Sequence, residues 1–235
     1  MKKAYCNKSI RQSLQFPARA NLDEVTVNNS GLKANSEFNN VALAPEANYE
    51  STYRCALRLN HFNVLLKDYA LFQFSWDSEA SWRLAYYPNP WISGVASALN
   101  KLSDLKEKLE EGSISSEGFM ELLATDFPLR QAIPMFRYEY SERQYIPVTH
   151  PAGHFHIGAF GQDRWAWSRK LSPKSFTMIM VRMYYPDVWL GNSSFHAEDV
   201  VDCWEVELRK SLKSDGVSAE FNVDEAASIH LNAIN

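Results

Sequence analysis

Residues 145–160 read YIPVTHPAGHFHIGAF, and residues 172–186, after a polar tryptophan-rich connection, read SPKSFTMIMVRMYYP. The first half has the alternation of a strand. Phe155, Ile157 and Ala159 fall on one side of an extended chain, and His154, His156 and Gly158 on the other. The apolar side needs a core, so the imidazoles are expected on the open face. Gly158 leaves that face bare one step beyond His156. His150 precedes the strand, and the turn-forming Pro151-Ala152-Gly153 is able to fold it back toward the other two. The second half has the period of a helix. Ser172 is a cap hydroxyl, Pro173 suits the first helical position, and Phe176, Ile179, Met180, Met183 and Tyr184 recur on one face until Pro186.

Working back toward the N-terminus, Phe136, Tyr138 and Tyr140 alternate with Arg137 and Glu139, and Ser141-Glu142-Arg143 turns this run toward the histidine strand. Ala70, Phe72, Phe74 and Trp76 share one side of a further strand. Asp77-Ser78-Glu79 separates it from Trp82–Tyr87, which predicts an antiparallel hairpin. Tyr53, Cys55, Leu57 and Leu59 also alternate with polar neighbours and are read as sheet. Ile92, Val95, Leu99, Leu102, Leu105 and Leu109 instead recur every three or four residues, predicting an amphipathic helix that Gly112 stops. A shorter helix is expected over Ser116–Thr125, ended before Pro128. Beyond the quoted stretch, Val201, Trp204, Leu208 and Leu212 predict a helix from about His196 to Lys213. Residues 1–50, rich in Asn and Ser, are expected to be an irregular or peripheral lead-in to a main domain over 51–235.

The 235 residues are 46% hydrophobic, enough for a substantial core, and the net charge of −4 gives no global nucleic-acid signal. Cys6, Cys55 and Cys203 are far apart, which fits a reducing compartment better than a disulfide scaffold. No signal-peptide pattern and no membrane-length apolar run is present, so no membrane association is expected and the default location is cytoplasmic.

Three of the six histidines fall within seven positions, as HPAGHFH. Imidazoles at 154 and 156 on one strand face suit a divalent transition metal, with His150 completing the set, although the spacing is not that of a zinc finger. A metal-free site in which one histidine moves protons and arginines hold anionic charge is the second assignment. The third is a hydrogen-bonded turn packed beside aromatics. Arg164 and Arg169 are the nearby anion-binding candidates because guanidinium is permanently charged and rich in donors. Asp163 is a turn cap or an orienting carboxylate, and His61, His196 and His230 are assigned to structure or surface. Arg54, Arg58, Arg83 and Arg137 are read as the polar side of the meander, able to form a local basic surface.

The combination of His150-Pro151, His154, His156 and Gly158 with Ser172-Pro173, Phe176 and Tyr184-Tyr185-Pro186 resembles a bacterial domain family of unknown function, numbered 2290. The resemblance covers residues 145–186. It implies a histidine-bearing strand followed by a helix, and a bacterial setting near mobile-element or defence functions, without assigning an activity.

The expected architecture is α+β, a bent antiparallel sheet covered by several helices. The expected function is phosphoester or nucleotide processing. In it His150, His154 and His156 bind metal or exchange protons, and Arg164 and Arg169 stabilise phosphate charge. The alternative is a noncatalytic protein- or nucleic-acid-binding component of a bacterial defence-related assembly.

Overall fold

The computed structural model describes residues 1–218 without 45, 93–97, 128–134, 159–163 and 194–202, together with 221 and 224. Where an irregular lead-in is expected, the chain begins with α1 (Lys3–Arg19). Its inner face is Cys6, Ser9, Ile10, Ser13, Phe16 and Pro17, a helical stripe one-third serine and therefore partly hidden from an apolar count. Then come β1 (Asp23–Thr26), α2 (Ser36–Ala42) and α3 (Tyr49–Arg58). The alternation read as strand over Tyr53–Leu59 is helical instead. The Asn48 side chain caps α3 by accepting from the Ser51 amide at 2.8 Å, and Thr52, Tyr53, Cys55 and Ala56 are buried at helical spacing. Short apolar runs carry both periods, and here the cap decides.

The predicted hairpin follows as β2 (Val64–Leu66), β3 (Leu71–Ser78) and β4 (Ser81–Tyr87), with β3 and β4 in register from Leu71 opposite Tyr87 to Trp76 opposite Trp82. The helix predicted from Ile92 is described as α4 (Ala98–Glu110), and Val95 lies outside the described residues. Gly112, with φ of +73°, stands just past its end. Ser115 caps α5 (Ser116–Asp126), while Pro128 is again outside the described residues. Then come β5 (Phe136–Ser141), β6 (Gly153–Ile157), β7 (Trp165–Ala166), α6 (Pro173–Tyr184), α7 (Pro186–Gly191) and α8 (Trp204–Asp215). Ser172 caps α6 through the Ser175 amide as expected, but Met183 is 51% exposed, and Thr177, Met178 and Val181 are buried instead. His196, Val201 and His230 lie outside the described residues.

The seven strands form one antiparallel sheet in sequence order, giving an α+β fold with eight helices around it among the described residues. Register shifts at Asp23/Val25 and Trp76/Ser78 mark bulges, which bend strands locally. One face is an aromatic wall of Phe72, Phe74, Trp82, Leu84, Tyr86, Tyr138, Tyr140 and Phe155, packed with residues of α1, α6 and α8. The other carries Leu65, Leu71, Ala85 and Tyr87 against α3, α4 and α5, then turns polar along β5 and β6. No described helix is long and apolar enough to cross a membrane.

Phe176 is the knob that α6 inserts into the wall. It is fully buried and meets the rings of Phe72, Phe74 and Phe155 at centroid distances of 6.4, 6.5 and 6.4 Å. Phe176→Ala is expected to lower unfolding stability by about 3–5 kcal/mol, measured as a shift of the urea midpoint.

Candidate metal centre

The site is built by the register of two neighbouring strands. In the antiparallel pair β5–β6, Glu139 lies opposite His154 and Arg137 opposite His156, while on the other side of β5 Arg83 of β4 lies opposite Glu139. Side chains of directly opposed residues share a face with Cβ atoms about 5 Å apart. Aromatic residues at the intervening positions turn to the core, so Arg83, Arg137, Glu139, His154 and His156 converge on the opposite side.

That side is not open, contrary to the sequence expectation. His154 is fully buried and His156 is 3% exposed. The segment before β6 folds over them. Ile146 and His150 exchange backbone hydrogen bonds of 3.0 and 2.8 Å, and Val148 between them has φ of +66°, a strained value for a β-branched residue. Pro151 then places its carbonyl 2.7 Å from His154 Nδ1, and the His150 ring stands edge-on to His154 with centroids 5.0 Å apart. On the reverse side Gly153 lets β6 lie close to the aromatic wall, because a Cβ there would lie 2.9 Å from the Tyr138 hydroxyl and 3.0 Å from the Trp167 carbonyl.

The hydrogen bonds fix the imidazole chemistry. Nδ1–H of His154 donates to Pro151, leaving its Nε2 lone pair directed at His156 Nε2, 3.1 Å away. His156 Nδ1 is buried without a hydrogen-bond partner. Glu139 Oε1 faces Nε of Arg83 at 3.0 Å and Nε of Arg137 at 2.8 Å, and its Oε2 lies 4.0 Å from His156 Nε2. Ligand atoms of Glu139, His154 and His156 all fall within 4.8 Å of one another.

Electrostatics keep these donors in ligating form. Burial, opposed by the Pro151 hydrogen bond and Glu139, brings the His154 pKa down to about 4. Burial and then the Arg137 charge bring His156 down to about 3. Burial alone would raise the Glu139 carboxyl, but the charges of Arg83 and Arg137 overcome it and hold it below the usual range. Two neutral imidazoles and one carboxylate form a donor set for a divalent transition metal. Nitrogens 3.1 Å apart match two ligands sharing one ion at bond lengths of about 2.0–2.1 Å. The outer nitrogen of His154 bound to a carbonyl is the support that orients a ligating histidine. The Glu139–His154–His156 cluster is thus able to coordinate a divalent metal ion.

Of the residues singled out in the sequence, His154 and His156 come together, and His150 flanks them outside the compact donor set, its Nδ1 buried and without a hydrogen-bond partner. Arg164 is exposed, yet its charge lowers the pKa of both imidazoles. Arg169 is engaged elsewhere, its Nη1 donating to the Leu212 carbonyl of α8 at 3.1 Å. Asp163 lies outside the described residues. The four arginines do not all lie on the polar side of the meander. Arg54 and Arg58 sit on α3 and pair with Glu50, Glu121 and Glu37, while Arg83 and Arg137 converge on Glu139. Glu139 is the candidate donor that sequence reasoning missed. Its signal was parity, since the polar side of the 136–140 strand must meet the histidine side of its neighbour once Tyr138 and Phe155 share a core.

Because the folded pKa values of His154 and His156 lie below the unfolded value near 6.5, the folded state binds fewer protons than the unfolded chain. Their contribution to stability is complete above about pH 6.5 and is lost as pH falls toward 4, by up to about 1.4 kcal/mol per pH unit for each imidazole. Urea midpoints measured with chelator at pH 7, 6 and 5 are expected to fall steeply, and the His154→Gln/His156→Gln double variant to lose most of that slope.

The family model described as "Uncharacterized conserved protein (DUF2290)" matches residues 10–233. No curated protein and no solved structure matches the chain. The match takes in both strands of the centre, all three donor residues and the helices on both faces, well beyond the 145–186 stretch. The chain therefore belongs to the family described as Uncharacterized conserved protein (DUF2290).

Proposed function

We propose that this protein processes phosphate esters at a metal centre formed by Glu139, His154 and His156. The observation that carries the reading is the pair of Nε2 atoms 3.1 Å apart, one of them fixed in tautomer by the Pro151 carbonyl, beside a carboxylate that arginines hold ionised. A divalent ion held there supplies Lewis acidity toward a phosphoryl oxygen.

The surrounding residues fit an anionic substrate. Arg83 uses Nε on Glu139 and, with its side chain 46% exposed, keeps its Nη groups for another acceptor. Arg164 adds a third guanidinium whose charge is felt at the centre. Such donors stabilise charge gathering on phosphate oxygens. Proton exchange by the two histidines fits less well. Their pKa values, about 4 and 3, sit far from neutrality, where a general base works best. The free cysteines, two of them buried, accord with a reducing cytoplasmic setting. The second reading, a protein- or nucleic-acid-binding component of a defence-related assembly, is favoured by the exposed apolar tip beside the centre, where Ile146 is 58% and Val148 48% exposed.

The test is metal content after gentle purification. About one equivalent of a divalent transition metal per chain is expected in the parent protein, falling at least tenfold in His154→Ala and His156→Ala. Hydrolysis of a chromogenic phosphodiester should depend on that metal and stop with chelator. Parent protein free of metal, or variants that retain it, would refute the metal centre.

A further inference from the structure

We infer that the cleft bordering Glu139 is a binding subsite for the sugar phosphate portion of the substrate. This inference rests on the phosphate-ester reading and adds the substrate class. The cleft encloses about 600 Å³ between the β3–β4 turn and the segment after β5. That size is within the usual range for small-molecule sites, roughly 300–1,000 Å³. Its floor continues the face of the sheet that bears the metal donors. Ser81 lies opposite Ser141 one step from the Arg83–Glu139 pair, so hydroxyls follow directly on the charged row.

The lining selects the chemistry. Asp77, Ser81, Ser141 and Gln144 offer acceptors and donors suited to hydroxyl groups. Arg143 at the rim is exposed, with no ion-pair partner among the described residues, and Arg83 has its Nη groups available. The two arginines therefore provide a grip for a phosphate, with Glu139 between them and the imidazoles. The aromatic residues in the lining, Trp82 and Tyr140, are each 1% exposed and stack on one another with centroids 4.3 Å apart. They present no free ring face, so the site is not a platform for stacking a nucleobase. A cavity lined by two arginines, two carboxylates and several hydroxyl and amide groups takes a phosphorylated polyol, the arginines holding the phosphate and the carboxylates accepting from hydroxyls. Free sugar phosphates and the sugar phosphate unit of a nucleotide share that chemistry.

The experiment is calorimetric titration of the full chain with ribose 5-phosphate, adenosine 5′-monophosphate and inorganic phosphate, for the parent protein and for Arg143→Ala and Ser141→Ala. Metal content is determined on the same samples. Ribose 5-phosphate is expected to bind more tightly than inorganic phosphate, and Arg143→Ala to weaken it by about tenfold at unchanged metal content. Adenosine 5′-monophosphate binding like ribose 5-phosphate identifies the nucleotide sugar as an accepted source, and its exclusion identifies the free sugar phosphate. Equal affinity for ribose 5-phosphate and inorganic phosphate, or affinity unaffected by both substitutions, overturns the subsite and leaves the metal centre standing. Loss of the metal centre alone, with ribose 5-phosphate still bound through Arg143, refutes the function proposed above and retains the cleft.

Discussion

The pairing of β5 with β6 is the constraint on which the rest of this molecule depends. It sets Glu139 opposite His154 and Arg137 opposite His156 while Tyr138 and Phe155 enter the aromatic core on the reverse side. A slip of one residue would bury the charged side chains among aromatics and expose the aromatics, so the core itself fixes which groups meet at the centre. The register is also held by hydrogen bonds on the reverse face. Tyr138 reaches across the reverse face, its hydroxyl donating to the Arg169 carbonyl at 2.8 Å, and the Leu171 amide reaches that hydroxyl at 3.3 Å. The aromatic wall thus positions a site that it never touches.

Burying this row costs free energy, and the network shows how much of the cost is offset. Glu139 leaves water but gains two guanidiniums on one oxygen. Pairing of this kind compensates desolvation only when hydrogen bonds and geometry are good. His154 donates Nδ1–H to the Pro151 carbonyl and meets His156 through Nε2, whereas Nδ1 of His156 and of His150 are buried without hydrogen-bond partners. An unsatisfied buried polar group costs about 1–3 kcal/mol, so the row is held in place at a cost to stability. Strain at Val148 lies in the same segment, where Ile146 and His150 close a tight loop.

Much of this was legible in the sequence, for identifiable reasons. Strands β3–β6 announce themselves because their core residues are aromatic and strictly alternate, and the Ser172-Pro173 cap marks α6. The histidine pair was visible because a period of two places 154 and 156 on one face. Three things were not legible. Helix α1 conceals its stripe behind Ser9 and Ser13, which contribute to packing without contributing hydrophobicity. Helix α3 carries residues whose alternation mimics a strand until the Asn48 cap is considered. Glu139 required knowledge of which strand lies beside β6 and in which register, a long-range fact that local patterning does not contain.

Arg169 and Arg83 show how differently sequence distance and sheet pairing place a guanidinium. Arg169 was chosen for closeness in sequence to the histidines, but the chain turns after β7, and its guanidinium caps a carbonyl at the end of α8 instead. Arg83 lies more than seventy positions from His156 in sequence, yet two steps of sheet pairing bring it to the carboxylate that faces that imidazole. In a meander whose strands follow sequence order, residues far apart in the chain come together across the strands along a single row of one face. The same row runs outward from the donors through Arg83 to the Ser81–Ser141 pair. Substrate contacts should therefore be sought along that line of side chains, where parity has already separated the chemistry from the core.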